Sequence, residues 1–144
     1  MLNLMMKIKK YKLIILILLV ILVYSGLQNP YIRASIIIRQ FIPLNAELLE
    51  YNIRESNFHG DGQDDFYFKV SKEDISNFIQ SNRDWKEYKL DLKLRVDVPI
   101  EFKYVKNAKY IFHDQSPDTE YEANYNFAII DLDEGLLYVK TIDT

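Results

Sequence analysis

Residues 13–32 carry no charged side chain, and the first eleven of them, LIILILLVILV, are all Leu, Ile or Val. A helix needs about 20 predominantly apolar residues to cross a bilayer. A helix of a soluble core keeps a polar stripe at helical spacing, and this run has none. Lys7, Lys9, Lys10 and Lys12 stand before it, with no acid among the first twelve residues. Such an arm stays on the cytoplasmic side. The expected organisation is a cytoplasmic basic arm (1–12), a transmembrane signal-anchor helix (13–29), a neck helix (30–43) and an extracytoplasmic domain (44–144). A cleaved secretory signal would use the same arm and run, with Ser25 as the small residue near the cut. It would leave the body on the same side. With no cysteine in the chain, a lipid-modified cysteine is excluded.

The charge is divided along the chain. Taking the four lysines of the arm from a net charge of −3 leaves −7 on the other 132 residues. An acidic body is a poor match for nucleic acid, whose binding depends on cations neutralising phosphates. A chain of 144 residues has room for one modest domain, too small for a barrel enzyme or a complete dinucleotide-binding enzyme. The absence of cysteine also excludes disulfides, Cys-ligated zinc and thiol catalysis.

Pro30 suits the first turn of a helix, and Ala34, Ile37, Ile38 and Phe41 recur at helical spacing before Pro43. This neck is expected to lie on the membrane or to pack under the domain. Leu49, Tyr51 and Ile53 then alternate with Glu50, Asn52 and Arg54, as in a half-buried strand. A Gly-containing turn follows. Phe66, Phe68 and Val70 continue as a second strand, and a hairpin is the simplest connection. Ser71 with Asp74 resembles a capping box ahead of a helix whose core stripe is Ile75, Phe78 and Ile79. Residues 90–96 alternate as a third extended segment, Lys109 to Phe112 form a short aromatic strand, and 124–132 with 136–142 read as a closing hairpin. The fold class is α+β: an N-terminal transmembrane helix followed by a small antiparallel or mixed β-sheet domain with one packed helix.

No phosphate-cradling loop, nucleophile elbow or zincin helix occurs. The polar cluster His59, Asp61, Asp64 and Asp65 combines imidazole and carboxylates, the donors of a divalent-cation site, but its spacing is not that of an EF-hand loop. Read plainly, it is a solvated hairpin turn. His113-Asp114 would join His59 only if their two loops meet, which is a tertiary matter. The 11 tyrosines and 8 phenylalanines suit cross-strand pairing, and equally a partner-binding face. The ligand-binding candidates are His59, Asp61, Asp64 and Trp85, with no catalytic residue, metal ligand or cofactor assigned.

Phe58-His59-Gly60-Asp61-Gly62, the step Asp84-Trp85-Lys86, and the closing stretch Tyr125-Asn126-Phe127…Asp131…Leu137-Tyr138…Asp143-Thr144 together resemble an uncharacterised family of small, membrane-anchored proteins of Gram-positive bacteria. The resemblance covers roughly residues 45–144. It implies location and fold more than activity, since the family carries no assigned reaction. Members often show an acid-Thr-His-Gly-Gly run just before the Phe-His-Gly-Asp-Gly. Here that stretch is Ile53-Arg54-Glu55-Ser56-Asn57, which weakens a metal or catalytic role for His59.

The function expected from these features is a binding or interaction module at the cell envelope, held by its membrane helix and meeting a protein partner there, with no nucleic acid. Two alternatives stand beside it. One is an envelope hydrolase or metal-binding protein using loop 59–65. The other is an immunity-type protein that blocks a toxin at the membrane.

Overall fold

The computed structural model describes residues 2–54, 62–89, 96–117 and 124–143, with side chains from Lys12 onward. Helix α1 (Leu2–Leu27) contains the aliphatic run, and residues 13–23 are exposed all round the helix. Among the described residues no single helix is long and apolar enough to cross a membrane. Lys12–Leu27 and Pro30–Ile38 meet that test only as a pair, by length and composition, bent by 72° at the break between them. By length and composition, α1 alone does not meet the span expected over 13–29. Asn29 ends α1 and caps the next helix, its Oδ1 accepting from the backbone N–H groups of Tyr31 (2.9 Å) and Ile32 (3.4 Å).

Helix α2 (Pro30–Ile38) starts on its proline as expected, but stops short of residue 43. Arg39 takes a left-handed conformation (φ 54°), and the N–H groups of Arg39 and Gln40 turn back to the carbonyls of Ile36 and Ser35. Phe41 therefore leaves the helical stripe and is 90% exposed, while Ala34, Ile37, Ile38 and Ile42 are buried. These four enter the main core beside Phe66, Phe68, Ala128, Ile130, Leu137 and Val139. A domain boundary at residue 44 would cut through this cluster.

Six strands form one wholly antiparallel sheet: β1 (Glu47–Arg54), β2 (Gly62–Lys69), β3 (Lys86–Glu87), β4 (Ala108–Asp114), β5 (Tyr125–Asp131) and β6 (Leu136–Asp143). Their spatial order is β1-β2-β6-β5-β4-β3. β1 and β2 make the expected hairpin, with a bulge at Leu49. The bulge shifts the alternation by one residue. Leu48 leans on the core in place of the exposed Leu49, Ile53 leans on it as the alternation implies, and Tyr51, opposite Phe66 on the edge strand, is exposed. β5 and β6 close around Gly135 (φ 72°). Gly135 accepts from the Val70 N–H (2.8 Å), and a Cβ there would lie 2.3 Å from the Val70 carbonyl oxygen.

Helix α3 (Lys72–Gln80) begins at the Ser71 cap and buries Ile75 and Phe78. So two helices, not one, cover the first face of the sheet. The chain over 96–105 covers the other face, where Val96, Phe102, Tyr110, Tyr125, Phe127, Ile129 and Tyr138 form a second core. Of the extended segment expected over 90–96, residues 90–95 lie outside the described residues.

Candidate functional site

Strand register lines up Asp64 of β2, Thr141 of β6, Asn126 of β5 and His113 of β4 as direct cross-strand partners. Each lies two residues from one of the apolar positions Phe66, Val139, Ala128 and Ile111 on its own strand, so they share the helix-covered face. The centre of that face is apolar; Lys109, near the start of β4, also lies on it and pairs with Glu87 (3.0 Å). Three steps between paired positions, at about 5 Å each, make a polar strip roughly 15 Å long across one end of the sheet.

Each member has a specific partner. Arg33, from α2, places Nη2 2.5 Å from Asp64 Oδ2, with side-chain exposures of 28% and 8%. Burial raises the pKa of Asp64, and the Arg33 guanidinium opposes this without overcoming it. Thr141 donates its hydroxyl to Asn126 Oδ1 (2.8 Å). His113 Nε2 lies 3.1 Å from Asp84 Oδ2. Its Nδ1 is buried and has no hydrogen-bond partner among the described residues. A buried ring nitrogen left unpaired carries a desolvation cost that a bound group would remove.

Beside the Asp64 end of the strip, a cleft of about 580 Å³ opens between the helix break and the sheet. Gln28, Arg33, Arg54, Asp64, Thr141 and Asp143 line it, so both charge signs face the same space. The β1–β2 connection leaves the sheet at this end between Arg54 and Gly62, and the β4–β5 connection leaves it there after Asp114. The loop bearing His59 and Asp61 thus starts and ends beside the cleft, although both residues lie outside the described residues.

The sequence candidates separate. Asp64 belongs to the strip. Trp85 precedes β3 at the far flank of the sheet, with β6, β5 and β4 in between. There it is buried against Phe78 (ring centroids 5.7 Å apart) and donates Nε1–H to Gln40 Oε1 (2.9 Å). Gln40 also reaches the Phe78 carbonyl and Ser81 Oγ, tying the turn after α2 to the end of α3. Trp85 is a structural anchor set apart from the strip, while its neighbour Asp84 faces His113. The sequence does not single out Arg33 or Thr141, and names Asn126 only within the closing stretch of the resemblance. No local pattern marks them, because only register and helix docking bring them to Asp64. Asp65 points to the opposite face, where Tyr138 Oη, the Gln63 amide and Lys140 Nζ (3.9 Å) surround it.

Among the described residues, no group of three or more His, Asp or Glu side chains is arranged to hold a metal ion. The strip can donate and accept hydrogen bonds and present paired charges to a polar ligand or protein segment. No known family, no curated protein and no solved structure matches this chain.

Proposed function

We propose that this protein is a membrane-anchored binding module whose domain lies outside the cell membrane and engages a protein partner at the envelope through the polar end of its sheet. The observation that carries the reading is the strip itself. Four polar positions stand in register at one end of a face whose centre is apolar, with an imidazole nitrogen unpaired among the described residues at one end and a mixed-charge cleft at the other. A buried polar atom costs stability unless it is satisfied, and a partner segment reaching His113 Nδ1 and the charges of the cleft would find donors and acceptors there.

The anchoring half of the proposal rests on α1. Residues 13–27 form about 22 Å of charge-free helix, aliphatic over 13–23, against a hydrocarbon core of about 30 Å. Lysine stems reaching outward from the arm and local bilayer thinning bridge such a shortfall. The lysine arm then sets the direction, with the domain outside.

The experiment places a photo-crosslinking residue at Arg54, on the cleft rim, in the full-length protein in its native membrane. A control position at Lys106 is exposed in the chain before β4, at the other end of that strand. A discrete protein adduct from position 54 that is lost on adding Asp143→Lys, with none from position 106, is the expected result. Adducts that are identical from both positions, or insensitive to the charge reversal, overturn the binding site. A reporter fused after Thr144 that is active only in the cytoplasm overturns the orientation.

A further inference from the structure

Helix α2 has two apolar faces and only one of them is covered. Ala34, Ile37 and Ile38 face the core. On the other side Ile32, Ile36, Arg39, Phe41 and Leu44 line a continuous apolar groove of about 470 Å³. Phe41 and Leu44 are 90% and 100% exposed. An exposed apolar patch of this kind on a small domain marks a contact surface.

Two features of the helix junction say what covers it. The first is direction. Ile32 Cδ1 approaches the Gly26 position at the end of α1, so the uncovered face of α2 looks toward the side from which α1 departs. The second is depth. The nine residues of α2 make about 13 Å of helix, and at 72° to α1 its far end recedes only about 4 Å along the α1 axis. With α1 upright in a bilayer, α2 lies within about 20° of the membrane plane, at the level where α1 emerges. The aliphatic span of α1 is also short, which draws the residues just beyond it toward the hydrocarbon boundary.

We infer that the outer face of α2, together with Phe41 and Leu44, is seated in the headgroup region of the lipid bilayer, so that the domain lies against the membrane instead of swinging above it. The inference rests on the proposed membrane location of α1. A helix with one face in a protein core and the other in the interface is held in the plane on both sides, with Arg39 placed to meet lipid phosphates. The polar strip is fixed in consequence beside the membrane surface, and a partner must reach it there.

The chain has no cysteine, so single probes can be placed without background. Val20→Cys, Leu44→Cys and Tyr104→Cys are each made in the full-length protein, labelled with bimane and reconstituted into phosphatidylcholine–phosphatidylglycerol vesicles. Lipids brominated deep or shallow in the acyl chain quench from within the bilayer, and iodide quenches from water. Trp85 emission confirms that each variant is folded. The expected result is loss of most Val20 emission to deep bromines, loss of most Leu44 emission to shallow bromines, and quenching of Tyr104 by iodide alone. Quenching at Val20 with position 44 open to iodide and untouched by bromines overturns the inference and leaves the anchor standing. Failure of bromines at both positions overturns both. A second copy of the chain seated on this face would shield position 44 from both quenchers, and that too refutes the inference.

Discussion

Replacing Arg33 with Met should destabilise the protein by about 3 kcal/mol at neutral pH, toward the low end of what breaking a buried ion pair costs. The asymmetry of the pair sets the figure. Asp64 is 8% exposed and Arg33 is 28% exposed, so removing the arginine strands the member that cannot reach water. Asp64→Leu strands only Arg33, whose long side chain can turn its guanidinium outward, and should cost about 1 kcal/mol. The double variant should lie near the Asp64→Leu value, with a far smaller loss than Arg33→Met, giving a coupling of about 3 kcal/mol between positions that touch. The sign of the pH dependence also follows. The Asp64 pKa is already raised in the folded state, chiefly by burial. The folded chain therefore holds the proton more tightly than the unfolded one, and this group's share of stability falls as pH rises through the window between the ordinary and the raised value. Without Arg33 that window widens upward. The Arg33→Met penalty should be full near pH 7 and shrink as acid protonates the carboxyl. Urea unfolding of the full chain in mild detergent, followed by the emission of Trp85, the chain's single tryptophan, reads this directly. With a slope of about 1–3 kcal/mol per molar urea, the midpoint should fall by about 1–3 M. An Arg33→Met midpoint unchanged at pH 7, or a penalty that grows on acidification, would refute the reasoning.

Three further outcomes are expected. Ile37, Ile38 and Ile42 each contribute about 1.5–3 kcal/mol by burial, together comparable to the whole stability of a small domain. A chain starting at residue 29 should therefore unfold cooperatively, while one starting at residue 44 should show molten behaviour by near-ultraviolet dichroism. Gly135→Ala should lower the urea midpoint by the equivalent of at least about 2 kcal/mol, since it combines left-handed strain with a Cβ driven into the Val70 carbonyl. Burial pushes the pKa values of Tyr67 and Tyr125 up to about 12 from an ordinary 10, with nearby carboxylates adding to it. The stability these phenols contribute is whole below pH 10 and lost as pH rises toward 12, so absorbance at 295 nm should show late tyrosines ionising together with alkaline unfolding.

Sequence by itself determined what depends on near neighbours along the chain. The Ser71 cap and its helix, the β1–β2 hairpin and the β5–β6 closure around Gly135 follow from residues within a few positions of each other. The aliphatic helix and the α+β class follow in the same way. The end of α2 escaped this reading, because Pro43 marks where a helix must have stopped and not where Arg39 turns it. The facing at the start of β1 escaped because a single bulged residue puts Leu48 inward and not Leu49, whereas Ile53 faces the core as its alternation implies. Tertiary structure alone decided that α2 belongs to the core and that Trp85 holds two helix ends together. It also decided that Asp64 meets Arg33 and shares a row with Thr141, Asn126 and His113. Periodicity records which side of its own strand or helix a residue occupies. The row is set by hydrogen-bond register between strands far apart in the chain, and the ion pair by how one helix lies across them, and neither leaves a trace in local spacing.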